Sequence, residues 1–202
     1  MRLKSALRRG VAAAVIAGIV VSSGIPAYAG TWDIADGNIT VKAGDAEGTN
    51  RVTQGEKDVE DTDTVITGKS DKNTVTIEAE NEDDKVEVTL KDVNIDASRG
   101  SEAAVSVTGS GNTTIDCDGT YANNELKGAY NRAGLEHNQT VDGEGNVTSG
   151  KLTIQDENND GSLNATGKGF AAGIGGGSVK AGQVTITGGT ITATGEDGAG
   201  IG

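Results

Sequence analysis

Two stretches of this chain nearly coincide. Residues 161–167 read Gly-Ser-Leu-Asn-Ala-Thr-Gly, and residues 189–195 read Gly-Thr-Ile-Thr-Ala-Thr-Gly. Each is followed by a short loop and then by Ala-Gly-Ile-Gly, at 172–175 and at 199–202. Each is preceded by another apolar–polar alternation, Lys151-Leu-Thr-Ile154 in one case and Gln183-Val-Thr-Ile186 in the other. Leu163 and Ile191 are 28 positions apart, and Ile174 and Ile201 are 27 apart. A period of that length marks a unit too small to bury its own apolar face. Such units become stable by stacking on one another.

The same order recurs upstream with more drift. Val86 to Leu90, Val93 to Ala97 and Ala103 to Val107 form one set, and Thr113 to Cys117, Asn124 to Leu126 and Ala133 to Leu135 another. Within each piece apolar residues alternate with Thr, Asn, Glu, Lys or Asp, the period of a strand buried on one side. The inward set runs Val86, Val88, Leu90, Val93, Ile95, Val105, Val107, Ile115, Cys117, Leu126, Leu135, Leu152, Ile154, Leu163, Ile174, Val184, Ile186, Ile191 and Ile201. The expected fold is therefore all-β: a single-stranded parallel β-helix, or solenoid, of four to five coils with three short strands each. The repeats are expected over 73–202. Residues 30–72, which include Glu56, Asp58, Glu60, Asp61 and Asp63, read as an irregular acidic cap. Gly202 stops inside Ala-Gly-Ile-Gly, which suggests a longer repeat array.

Composition fits this reading. Only 34% of residues are hydrophobic, a low value for a globular core but enough for a narrow lumen filled by one or two side chains per strand. The 32 glycines serve corners, and a single proline leaves the backbone free to form continuous ladders. A net charge of −13 repels phosphate and argues against nucleic acid.

The N-terminus is expected to direct export. Arg2, Lys4, Arg8 and Arg9 precede an apolar run from Val11 to Val21, and Ala27-Tyr28-Ala29 follows. This is the order of a secretory signal peptide spanning 1–29. No second long apolar segment follows, so the mature chain is not expected to span a membrane. Cys117 is the only cysteine and is flanked by Asp116 and Asp118. Neighbouring acids raise a thiol pKa, so it reads as a small buried residue rather than a nucleophile.

The segments Asp92-Val-Asn-Ile-Asp-Ala97, Leu152 to Asn158 and Thr185 to Gly195, with Ala-Gly-Ile-Gly, resemble repeats of secreted, surface-associated proteins of Gram-positive bacteria, mainly clostridia and relatives. Those proteins carry carbohydrate-binding or pectate-lyase-like β-helices. The resemblance covers roughly 73–202. It implies a polysaccharide or cell-wall glycan as partner, with calcium and acidic polysaccharide as the ligands of related β-helices.

Candidate sites are few. Asp92, Asp118 and Asp156 fall near one corner of successive units, and stacked carboxylates there would suit Ca²⁺. His137 reads as a loop residue. Of the few aromatics, Tyr121 and Tyr130 flank one variable loop, and Phe170 precedes Ala172 at the edge of the stack. The expected function is that of an exported, non-enzymatic surface solenoid, an adhesin or carbohydrate-binding module. The alternative is a polysaccharide lyase or glycoside hydrolase, with Lys127, Arg132 and Lys151 as the available bases. A third reading is an ice-binding face built from Thr185, Thr187, Thr190, Thr192 and Thr194.

Overall fold

A computed structural model describes residues 28–119 and 123–202. The proposed signal peptide lies outside the described residues except for Tyr28 and Ala29, and Tyr121 lies outside them as well. The chain is all-β. It begins with β1 (Thr31–Asp33), a 3-10 turn (Ile34–Asp36) and β2 (Ile39–Ala43), followed by β3 (Asn50–Gln54) and β4 (Lys57–Asp61). Next come β5 (Val65–Thr67), β6 (Lys69–Ser70) and β7 (Val75–Ala79), then β8 (Lys85–Lys91), β9 (Asn94–Asp96) and β10 (Val105–Gly109). The rest are β11 (Asn112–Asp118), β12 (Asn124–Tyr130), β13 (Leu135–Glu136), β14 (Lys151–Gln155), β15 (Ser162–Lys168), β16 (Ile174–Gly175), β17 (Gln183–Ile186) and β18 (Thr190–Gly195).

These strands form three sheets. Sheet I has the order β1-β5-β8-β11-β14-β17, sheet II β6-β9-β12-β15-β18, and sheet III β4-β3-β2-β7-β10-β13-β16. From β5 onward the chain visits sheets I, II and III in turn, and each visit lands beside the last. We call one such passage a rung. All strand ladders between rungs are parallel, and one isolated antiparallel bridge, Asn138 with Ala181, joins two rungs through their loops. Among the described residues the antiparallel ladders are β2 with β3 and β3 with β4. No helix among the described residues is long and apolar enough to cross a membrane.

Register explains why the alternation in the sequence matters. Residues paired between parallel strands point the same way, so each inward side chain rests on its equivalent one rung away, about 4.8 Å off. Ile39, Val75, Val105, Leu135 and Ile174 form one such file, which the Ile174–Ile201 bridge extends. Trp32, Ile66, Leu90 and Cys117 form a second, and Val88, Ile115, Ile154 and Ile186 a third. Burying each large aliphatic side chain contributes about 1.5–3 kcal/mol. The fold therefore rests on many small equal steps.

The structure refines the sequence reading in three places. Before residue 80, Ile39 to Val41, Val65-Ile66 and Val75 to Ile77 read as one less regular turn, and they lie on β2, β5 and β7 of the same sheets. β1 and β2 already lie in sheets I and III, with the 3-10 turn where a sheet II strand would fall, and the β3–β4 hairpin then interrupts the pattern. Gly55, at φ 60°, makes the two-residue turn of that hairpin. The second place is at the far end. Ile186 and Ile201 are 38% and 50% exposed, although the residues they pair with, Ile154 and Ile174, are fully buried. No described strand lies over β17 and β18, so their inward positions have a neighbour on one side only. The third is a polar residue inside the stack. Asn124 is fully buried, its Oδ1 accepts from Val93 N at 2.9 Å, and its Nδ2 donates to the carbonyls of Asp118 and Ser162, each at 3.1 Å. One amide thus ties three rungs together.

Candidate functional site

A furrow of about 550 Å³ runs across the outer face of sheet I. Its floor is made by the outward residues of three successive strands: Glu87 and Thr89 on β8, Thr114 and Asp116 on β11, and Gln155 on β14 with Glu157 just beyond it. One wall is the loop 44–49 that enters the hairpin. Asp83, Asp84 and Lys85 also line the furrow. Strand alternation supplies the floor, because whatever is not inward must face out at the same spacing.

The wall formed by the loop is held internally. Thr49 Oγ1 donates to Glu60 Oε2 at 2.6 Å, and Asp45 N donates to Glu60 Oε1 at 3.0 Å. The furrow is strongly acidic, and Lys85 is the sole base lining it. Burial, followed by the charges of Glu157, Asp156 and Asp118, holds the Asp116 carboxyl above its ordinary pKa; the Glu157 backbone N–H, which donates to it at 3.1 Å, pulls the other way.

The three acids proposed for a cation are placed differently from one another. Asp92 occupies a corner with φ 54°, a left-handed conformation that aspartate tolerates. Asp118 pairs in register with Lys91 rather than with Asp92, and its Oδ2 meets Lys91 Nζ at 2.7 Å. Asp156 Oδ2 accepts from Gly161 N at 3.1 Å, while its Oδ1 is buried without a hydrogen-bond partner. Among the described residues, no three His, Cys, Asp or Glu side chains are grouped to hold a metal ion.

Cys117 is fully buried in the file above Leu90. Burial, then Asp116 and Asp156, pushes its thiol up to about 12. It therefore packs as an apolar group. His137 follows β13 in a loop, as read from the sequence, and is buried there at 2% exposure. Its Nδ1 lies 3.3 Å from the Val107 carbonyl and its Nε2 3.0 Å from the Gly150 carbonyl, so it fastens the root of the 138–150 loop to the stack. Nothing in the polar sequence around it signals that burial.

The three bases considered for lyase chemistry are dispersed. Lys127 lies on the outer face of β12 in sheet II, and Lys151 opens β14 in sheet I. Arg132 is committed to Glu136 at 2.8 Å and to Glu102 at 3.3 Å. Glu136 is itself 2% exposed and also accepts from Ala133 N and Asn138 Nδ2. The threonines considered for ice are also divided: Thr185 lies in sheet I, while Thr190, Thr192 and Thr194 lie in sheet II.

No protein-family model matches the chain, and neither does any curated protein or solved structure.

Proposed function

We propose that the chain winds as a single-stranded parallel β-helix and serves as an exported, non-enzymatic glycan-binding module or adhesin at a cell surface. The winding reading is supported by the strict succession of sheets I, II and III and by the inward files that cross the rungs. Export rests on the charge–apolar–Ala-x-Ala order of the N-terminus.

The observation that carries the binding reading is the furrow over sheet I. It crosses three strands at the spacing of the backbone ladder and presents hydroxyl, amide and carboxylate groups, which match sugar hydroxyls. Its acids oppose a uronate chain, so a neutral or amino-bearing glycan fits better than polygalacturonate. The test is a glycan array probed with the mature chain, covering neutral, amino and uronate polymers, with and without chelator. The expected result is retention on neutral or amino glycans that is indifferent to chelation. A blank array would overturn the binding reading.

A further inference from the structure

A second surface feature lies away from the furrow, where the chain turns from sheet II into sheet III. Tyr130 ends β12 on one rung, and Phe170 follows β15 on the next. They are 64% and 67% exposed, the two most exposed large apolar side chains among the described residues. Of the other described aromatics, Trp32 is 2% exposed and fills an inward position, and Tyr28, 48% exposed, packs edge-on against it with ring centroids 6.2 Å apart. A chain with 2% aromatics that sends two of them outward on adjacent rungs uses them for something other than packing. Single exposed apolar residues need no explanation, but two at the same corner of successive rungs do.

The corner is built, and both rungs use the same device. Asn131 at φ 61° follows Tyr130, and Gly169 at φ 64° follows Lys168, the residue paired with Tyr130 across the ladder. Asn131 N donates to Lys168 O at 2.9 Å, and Phe170 N donates to Asn131 Oδ1 at 3.3 Å. A Cβ on Gly169 would sit 3.0 Å from the Tyr130 ring, so the absent side chain gives that ring its place. Gly169 N in turn donates to Glu196 Oε2 at 2.9 Å. The result is two exposed rings, one rung apart, bordered by an amide, a lysine and a carboxylate.

We infer that Tyr130 and Phe170 form a sugar-stacking subsite, a second contact for the glycan-binding module proposed above. This inference rests on that reading. A pyranose offers an apolar C–H face to an aromatic ring and hydroxyls around its edge to groups such as Lys168 and Glu196. One rung, about 4.8 Å, is close to the length of one sugar in an extended glycan. A folded protein partner is a poorer fit. A stable interface covers about 800 Å² per side, with an apolar centre, whereas here charged groups border no more than two rings.

The test uses the mature chain, with cellohexaose and chitohexaose as probes, titrated by calorimetry. The variants are Tyr130→Ala, Phe170→Ala and Tyr130→Phe. Each alanine variant should weaken binding of the recognised hexasaccharide about tenfold, the equivalent of about 1.4 kcal/mol, while Tyr130→Phe binds like the parent. Thermal melts of all three should match the parent, since both rings are solvated. Parent-like affinity in both alanine variants would overturn the subsite and leave the glycan reading standing. Binding of neither probe by the parent would also overturn the subsite, and the glycan array then decides the wider reading independently. A change in sedimentation of the alanine variants in place of a change in sugar affinity would point to a protein contact and overturn it as well.

Discussion

Leu163 and Ile191 are register partners in sheet II, with nearly the same sequence around them, yet they live in different environments. Leu163 has β12 on one side and β18 on the other and is fully buried. Ile191 has only β15 beside it and is partly buried. The same contrast separates Ile154 from Ile186 and Ile174 from Ile201. An identical alternation of residue types therefore sets which way a side chain points, but not how much water it loses. That second quantity depends on whether another rung lies over it.

The largest test of this contrast is a pair of truncations. Leu163→Ala should cost about 3 kcal/mol, as a cavity enclosed on both sides does. Ile191→Ala should cost less than half of that, because solvent already reaches the site. Urea unfolding followed by circular dichroism measures both. Equal losses would mean that the last rung is covered in solution and would break the comparison.

A smaller effect probes the polar side of the same rule. Thr113 occupies an inward position between Val86 and Leu152, is 1% exposed, and its hydroxyl has no hydrogen-bond partner. Thr113→Val should raise stability by about 1 kcal/mol, the cost of an unsatisfied buried hydroxyl. Loss of stability on that change would show that the hydroxyl is hydrogen-bonded inside the stack.

The smallest effect concerns pH. The Asp116 carboxyl is held above its ordinary range, chiefly by burial, so the folded state binds its proton more tightly than the unfolded chain does. Its contribution is fully present below the unfolded pKa and is lost as pH rises through the folded one. Asp116→Asn should therefore leave acid stability unchanged, improve stability slightly at neutral pH, and flatten the pH profile across the carboxylate range. An unaltered profile, measured by melting temperature against pH, would place Asp116 in ordinary solvation.

Much of the fold was legible because alternation is local. Val86, Val88 and Leu90, or Leu152 and Ile154, announce an inward face in five residues, and the recurrence of Ala-Gly-Ile-Gly sets the period. The hairpin was not legible. Asn50 to Gln54 and Lys57 to Asp61 hold one valine each, Val52 and Val59, and their pairing depends on joining the edge of sheet III. The furrow was equally hidden, since the loop 44–49 and Glu157 are far apart in sequence and meet only through stacking. Tyr130 was visible as an aromatic beside a variable loop, but its place one rung from Phe170 follows from the pairing of Tyr130 with Lys168, which no spacing in the sequence reveals. The burial of His137 was hidden for the same reason, because both of its carbonyl contacts come from other parts of the chain.

The hairpin also decides how one border of the molecule behaves in a crowded solution. β4 is the terminal strand of sheet III and carries Lys57, Asp58, Glu60 and Asp61 around a single valine. An open strand border invites another chain to add itself, and a row of charges discourages that addition. Sheet III thus finishes in a border that resists fibril-like growth, which suits a protein of repeated Ile-Thr segments that would otherwise be prone to aggregate.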